Sequence, residues 1–338
     1  MALSWDTVEM KTSHIVLAGF GNVGRAFFRL IQEKRAVLLD RYDLDVGVKA
    51  IIRRRGGHVS SGSVEGRIDN EGWDPGVKLE NVLKNLKPGV LVECLPSSLK
   101  GGEPALSAIR KALALGWHVA ASSKGPLVVD YQGLQAAARH NDVQLRYSAA
   151  AGAALPSLDI GRISLAGAEI LRIEGILNGT SNYILTRMSE GLDYATALAE
   201  AQAKGIAEPD PANDVQGWDT AAKLVIIANA ILDVSFTLDD VRVEGIADFI
   251  KYAISRARAE GKKIKLLAKL TRRGEGYALS VAPELIGPAQ PLFGVDGTSK
   301  GITFYTDSMG IVTISGGQSD PRGAAAALLK DIIGMFQG

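Results

Sequence analysis

Residues 13–18, SHIVLA, run without a break into GFGNVGRAFFRLIQEKR, and this junction restricts the fold more than any other stretch of the chain. The apolar, partly β-branched run reads as a strand, and the residues after the glycines carry apolar positions at helical spacing. Gly19, Gly21 and Gly24 stand at the turn between them as G-x-G-x-x-G. Such a turn brings backbone close to a pyrophosphate, seats the helix on the strand and points the helix N-terminus at the phosphates. Glycine-rich turns alone are common. The strand before and the helix after select a dinucleotide-binding unit, with Gly19, Phe20, Gly21, Asn22, Val23 and Gly24 as its cofactor-facing residues.

The next strand, 46–52, ends in Arg53, Arg54 and Arg55, and no Asp or Glu lies between Val46 and Gly57. An acid there would take the ribose 2′-hydroxyl of NAD, whereas an arginine accommodates a 2′-phosphate. Arg53 and Arg54 therefore predict a preference for NADP, with NAD still possible; the bland alternative is a solvated basic loop. Residues 56–76 read as a loop or short hairpin. Strand 90–95 is followed by Pro96, Ser97 and Ser98, and then by a helix over 101–115. Strand 117–121 delivers Ser122, Ser123 and Lys124 at its carboxyl end, where open parallel sheets bind ligands. A helix over 129–140 and a strand over 143–148 complete an alternating pattern, which defines a doubly wound parallel sheet.

The character changes at AAAGAALPSL, placing a domain boundary near residue 150. A strand at 170–177 leads into Asn178, Gly179 and Thr180, whose N–H groups and hydroxyl at a helix start could receive a carboxylate or simply cap the helix. Residues 208–223, EPDPANDVQGWDTAAK, gather four acids and a lysine. Pro209 and Pro211 keep the start non-helical, so Glu208, Asp210 and Asp214 sit on a loop able to converge on a cation. Asp219 and Lys223, four apart on the following helix, share a face. Alone that spacing is a surface ion pair. The apolar run after Lys223 argues instead for a lysine at the edge of a cleft. Segments 249–270, YALSVAPELI and GITFYT predict an α+β domain, and an Ala-rich last helix docks on an existing layer.

At 338 residues the chain is long enough for two domains, and 38 basic against 37 acidic residues leave no electrostatic case for nucleic acid or an anionic membrane. Cys94 is the single cysteine and the histidines number four, so no disulfide and no zinc-type spacing are expected. No metal ligand set is predicted. The acidic N-terminus does not resemble a signal peptide, and no apolar run reaches the ~18 residues of a membrane span. A soluble cytoplasmic protein with a small-molecule partner is the expectation.

Five blocks, GFGNVG, SSKGPL, RIEGILNGTSNYILTRM, GIAEPDPANDVQGWDTAAKL and YTDSMGIVTISGG, occur in the order and spacing of the homoserine dehydrogenase family, which the chain resembles over essentially its whole length. The resemblance implies a Rossmann domain over 1–150, a substrate and dimerisation domain over 151–310, and a C-terminal segment over 311–338 returning to the first domain. It implies interconversion of L-homoserine and L-aspartate 4-semialdehyde with NAD(P)(H), in threonine, methionine and isoleucine biosynthesis, by a homodimer. Position by position, Lys223 matches the acid/base lysine and Lys124 the second lysine near the reacting oxygen. Glu208, Asp214 and Asp219 match the carboxylates around the substrate, and Gly179 and Thr180, read from the residues at their helix start, complete the expected substrate-binding set. Pro96, Ser97, Ser98, Ser123 and Gly317 join the glycine loop in holding cofactor.

The chain departs from the family pattern at three places. Ser123 replaces an asparagine before the strand-end lysine. Ser148 replaces the acid of the monovalent-cation site, leaving Ala151, Ala153 and Leu155 to offer carbonyls, so a bound cation is doubtful. The last glycine-rich segment reads GGQSDPRG. The chain stops near residue 338 without the family's ACT domain, so threonine feedback through one is not expected. Two rivals remain: an aspartate-semialdehyde dehydrogenase, which needs a cysteine nucleophile with a histidine that the 141–338 half lacks, and a nonenzymatic NADP sensor, against which both lysines count.

Overall fold

The computed structural model describes residues 10–66, 68, 73–246, 250–317 and 319–337, and the chain divides into two units, 1–149 with 324–338 and 150–323. The first unit contains strands β1 (Lys11–Ala18), β2 (Leu44–Arg53), β3 (Gly56–Val59), β4 (Val90–Glu93), β5 (His118–Ala121) and β6 (Leu145–Arg146). They form one sheet in the order β3-β2-β1-β4-β5-β6, parallel throughout except for the β2–β3 pair. Residues Ile15 to Ala18 and Val90 to Val92 have no exposed surface. A parallel sheet covered on both faces needs such unbroken apolar strands rather than an alternating pattern.

Helix Asn22–Glu33 buries Phe27, Phe28, Leu30 and Ile31 against this sheet. Helix Pro321–Gln337 supplies Ala325, Leu328, Leu329 and Ile332 to the same core at i, i+3, i+4, i+7 spacing. Each of the three larger side chains so buried contributes ~1.5–3 kcal/mol. The return to the first unit begins at Ala324 rather than at residue 311, which corrects the expected C-terminal segment. Ile311–Gly316 is instead a strand tied by its backbone into the other sheet. Strand order reverses between β1 and β4, and their carboxyl ends define the position where open α/β sheets take a ligand.

The second unit is built on a mixed sheet of β7 (Ile170–Ile176), β8 (Val241–Val243), β9 (Lys263–Arg273), β10 (Gly276–Ile286), β11 (Lys300–Thr306) and β12 (Ile311–Gly316), ordered β12-β11-β7-β9-β10-β8. All neighbours are antiparallel except β10 and β8. Helices Gly179–Ser189 and Trp218–Leu232 pack on β9. From Thr220 to Ala230 every residue of the second helix is buried except Lys223. Among the described residues no helix is long and apolar enough to cross a membrane.

Candidate functional site

The glycine loop shows which of its positions serve the fold and which leave room. Gly19 adopts φ +98°, and a Cβ on it would overlap the Cys94 carbonyl at the end of β4. A Cβ on Gly24 would overlap the Gly19 carbonyl. A Cβ on Gly21 would meet nothing within 4 Å. Gly21 is the N-cap of helix Asn22–Glu33, and no side chain caps it. Space above an uncapped helix start, walled by backbone, fits a dinucleotide pyrophosphate. Phe20 carries the Arg25 guanidinium 4.7 Å from its ring centre and stands 5.6 Å from the ring of Trp73.

Arg53 ends β2 immediately beside this loop, since Gly19 N–H donates to the Ile52 carbonyl at 2.8 Å. Its guanidinium lies 4.0 Å from the Trp73 ring centre, a cation–π stack that fixes its plane. Arg53 pairs with Gly56 on β3, so Arg54 and Arg55 are the exposed two-residue turn of a hairpin. Trp73 gave no sign of this role in sequence, because nothing around it is periodic.

At the ends of β4 and β5 the chain builds a compact hydrogen-bonded knot. Ser123 precedes helix Lys124–Val129, and its N–H donates to Glu93 Oε2 at 3.2 Å. The Ser123 hydroxyl lies 2.8 Å from Glu93 Oε1 and 2.6 Å from the Leu95 carbonyl, so it is turned inward. Leu95 N–H donates to Glu93 Oε1 at 2.6 Å. Glu93 has no exposed surface, and burial pushes its pKa up to about 7 against the pull of the Ser123, Leu95 and Ser122 donors. Burial first, and then the Glu93 charge, raise the Cys94 thiol. Gly125 packs its backbone on Ser98 and Ser97, a Cβ there falling 3.0 Å from Ser97 Oγ; the loop carrying Pro96, Ser97 and Ser98 therefore abuts the turn that begins with Lys124. Glu93 escaped the sequence reading, although an acid inside VLVECL was a visible anomaly.

Ser148 N–H and hydroxyl donate to the two oxygens of buried Asp331 at 2.8 and 2.7 Å, and Lys330 Nζ donates to Ser148 Oγ at 2.7 Å. The hydroxyl is thus held within its own unit. No group of three or more His, Cys, Asp or Glu among the described residues could hold a metal ion.

In the second unit Asn178 is the hub. Its Oδ1 caps helix Gly179–Ser189 by accepting from Ser181 N–H at 2.8 Å. Its Nδ2 donates to Asp214 Oδ1 at 2.7 Å and to Asp219 Oδ2 at 2.8 Å. Lys223 Nζ donates to Asp219 Oδ2 at 2.5 Å and to the Leu177 carbonyl at 3.0 Å. Asp214 reaches this set because Ala212–Val215 forms a short helix, and Gly217, at φ +86°, starts the long one. The expected uninterrupted loop and helix are replaced by that two-step turn. The side chains of Asp219 and Lys223 are 13% and 18% exposed, so the pair is no ordinary surface bridge.

Glu208 is exposed and outside the hydrogen-bonded set. The Thr180 hydroxyl donates to the Ile206 carbonyl at 3.0 Å, so it serves the fold. Gly179 is crowded by the Thr298 carbonyl, 2.8 Å from where a Cβ would stand. Gly317, at φ +76°, packs on Ala154 and Leu155 of its own unit. Lys300, which the sequence reading passed over, is the first residue of β11 and 5% exposed; burial, followed by the Lys223 charge, lowers its pKa to about 8.

Comparison with known proteins agrees with both halves of this geometry. The family model for homoserine dehydrogenase matches residues 156–333, and that for the homoserine dehydrogenase NAD binding domain matches residues 19–148. Homoserine dehydrogenase of Methanocaldococcus jannaschii is 37% identical, covering 95% of this chain and 98% of its own. NAD(+)-dependent homoserine dehydrogenase of Pseudomonas canavaninivorans is 34% identical over 97% of each. The crystal structure of a homoserine dehydrogenase from Thiobacillus denitrificans superposes with TM-score 0.86 at 26% identity, covering 97% of this chain and 74% of that one. A hyperthermophilic archaeal homoserine dehydrogenase in complex with NADPH gives TM-score 0.79 at 25% identity, with 96% and 97% covered. The chain belongs to the homoserine dehydrogenase family of NAD(P)-dependent oxidoreductases.

Proposed function

We propose that the chain interconverts L-homoserine and L-aspartate 4-semialdehyde, the step its family serves in threonine, methionine and isoleucine biosynthesis. The observation that carries this reading is the set Asp214, Asn178, Asp219 and Lys223, linked at 2.5–2.8 Å on an otherwise buried helix and the turn before it. An amino-acid substrate presents an ammonium, for which Asp214 and Asp219 supply negative charge, with Glu208 near the start of the same turn. Lys223 spends two N–H groups on Leu177 and Asp219, and the third is available to the substrate oxygen. The nicotinamide supplies the hydride donor or acceptor. In reduction Lys223 gives a proton to the carbonyl oxygen as hydride adds to carbon; in oxidation it takes that proton from the hydroxyl. Lys124 is proposed as the second lysine of the reaction, on a turn held by Ser123 and Glu93.

For the cofactor, the proposal is that Gly19 to Gly24 hold the pyrophosphate and that Arg53, stacked on Trp73, favours NADP through its 2′-phosphate, with Arg54 on the adjoining turn. A charge-assisted contact of ~1.5–3 kcal/mol corresponds to at least roughly tenfold tighter binding of NADP than of NAD. Dissociation constants for both cofactors, in wild type and in Arg53→Asp, test this. Equal affinities in the wild type, or no change in the variant, would reduce the arginines to a solvated turn. A monovalent cation has no part in this scheme, since the Ser148 hydroxyl is held by Asp331 and Lys330. The assembly is proposed as a homodimer, which the mass in solution checks.

A further inference from the structure

Among the described residues the second unit has two buried lysines, Lys265 and Lys300, and their surroundings differ in a way that separates a structural role from a binding one. Lys265 is 1% exposed and satisfies its ammonium three times, donating to Asn182 Oδ1 at 2.9 Å, the Val295 carbonyl at 2.6 Å and Asp296 Oδ1 at 2.8 Å. Three donors meet three acceptors, one of them a carboxylate, as a buried ammonium requires. Lys300 is 5% exposed, and among the described residues its Nζ donates one bond, at 2.9 Å to the Gly152 carbonyl. No carboxylate pairs with it among the described ion pairs. A buried ammonium left this way is costly to fold and marks a place where a ligand completes its coordination.

Strand register locates Lys300 against the reaction machinery. Gly301 pairs with Ile176 in the antiparallel β11–β7 ladder, which sets Lys300 alongside Leu177. The Leu177 carbonyl is the one that receives Lys223, and Asn178, next in the chain, bridges Asp214 and Asp219. Thr298, two residues before Lys300, crowds Gly179 at the start of the same helix. The charges that act on Lys300 are those of Lys223, Asp219 and Asp320. It therefore belongs to the same cluster, reached from the sheet side.

We infer that Lys300 receives the α-carboxylate of the amino-acid substrate, an inference that rests on the proposed homoserine chemistry. Homoserine and aspartate 4-semialdehyde both carry an ammonium and a carboxylate on one carbon. Asp214 and Asp219 answer the first. Lys223 is bound to Leu177 and Asp219, and the Thr180 hydroxyl to Ile206, so among the described residues of this cluster Lys300 is the cation with donors left for the second.

The test uses the dead-end mixture of enzyme, reduced cofactor and alcohol, in which no turnover occurs, and compares homoserine with 3-aminopropan-1-ol, its analogue without the carboxylate. Lys300→Met is expected to weaken homoserine about 10- to 100-fold, with 3-aminopropan-1-ol unchanged, and Lys300→Arg to restore part of the loss. The thermal midpoint of Lys300→Met should equal or exceed that of the wild type, because an incompletely paired charge has been removed. Unchanged discrimination between the two ligands in Lys300→Met would overturn the inference. A fall in midpoint without loss of discrimination would likewise overturn it and make Lys300 a peg for Gly152. Failure of the wild type to oxidise homoserine would overturn the proposed reaction itself, a different result from either.

Discussion

Glu93 shows how one proton organises a turn. The Ser123 hydroxyl has a single hydrogen and two acceptors in reach, Glu93 Oε1 and the Leu95 carbonyl. With Glu93 protonated, its O–H donates to Ser123 Oγ, Ser123 donates to Leu95, and every partner is satisfied; ionised, two acceptors compete for one hydrogen. Burial raises the Glu93 pKa from 4.5 to about 7, so the folded state binds this proton more tightly than the unfolded chain. The resulting stability is complete below pH 4.5 and is lost as pH rises towards 7, a change of about 3 kcal/mol. Glu93→Gln keeps the shape and cannot ionise. Its thermal midpoint relative to wild type should climb by about 5–10 °C between pH 5 and pH 8. A pH-independent difference would show that Glu93 is ionised throughout. The sequence carried the anomaly, an acid in an apolar strand, but not the partners 30 residues away that give it meaning.

Among the elements, the glycine-turn-helix was legible because its constraint is local: strand, turn and helix are adjacent in the chain. Gly24 is excluded from carrying a side chain by the carbonyl of Gly19, five residues earlier, and Gly21 by no described atom within 4 Å. Gly24→Ala should therefore lower the thermal midpoint. Gly21→Ala should leave it within about 2 °C while weakening NADP at least tenfold, because its methyl group enters the phosphate space. A Gly21→Ala protein with wild-type cofactor affinity would place the pyrophosphate elsewhere. Other elements were read less well because their constraint is distant. The arginine triplet forms a hairpin turn only because β3 pairs back on β2, and residues 311–316 read as part of a returning segment because nothing local announces their pairing with β11. Lys300 was missed for the same reason, since its importance lies in a β11–β7 register that no spacing encodes.

At the scale of the whole molecule, strands and helices alternate up to residue 148, the sequence changes character at 150, and the chain divides into two units at 149/150. The acids and lysine of 208–223 stood out by composition and helical phase, and of these Asp214, Asp219 and Lys223 are joined in one hydrogen-bonded set. Asn178, which joins Asp214 to Asp219, stands more than thirty residues earlier, and only the fold brings it there. The central claim is that Lys223 moves the proton in a homoserine–NAD(P) hydride transfer. The most direct test is the homoserine-dependent reduction of NAD(P) by wild type and Lys223→Ala, read alongside cofactor affinity. The account predicts turnover by the wild type, a loss of about 10²–10⁴-fold in kcat in the variant, and an unchanged cofactor Kd. A wild type that reduces no cofactor with homoserine, or a variant keeping more than about a tenth of kcat, would contradict it.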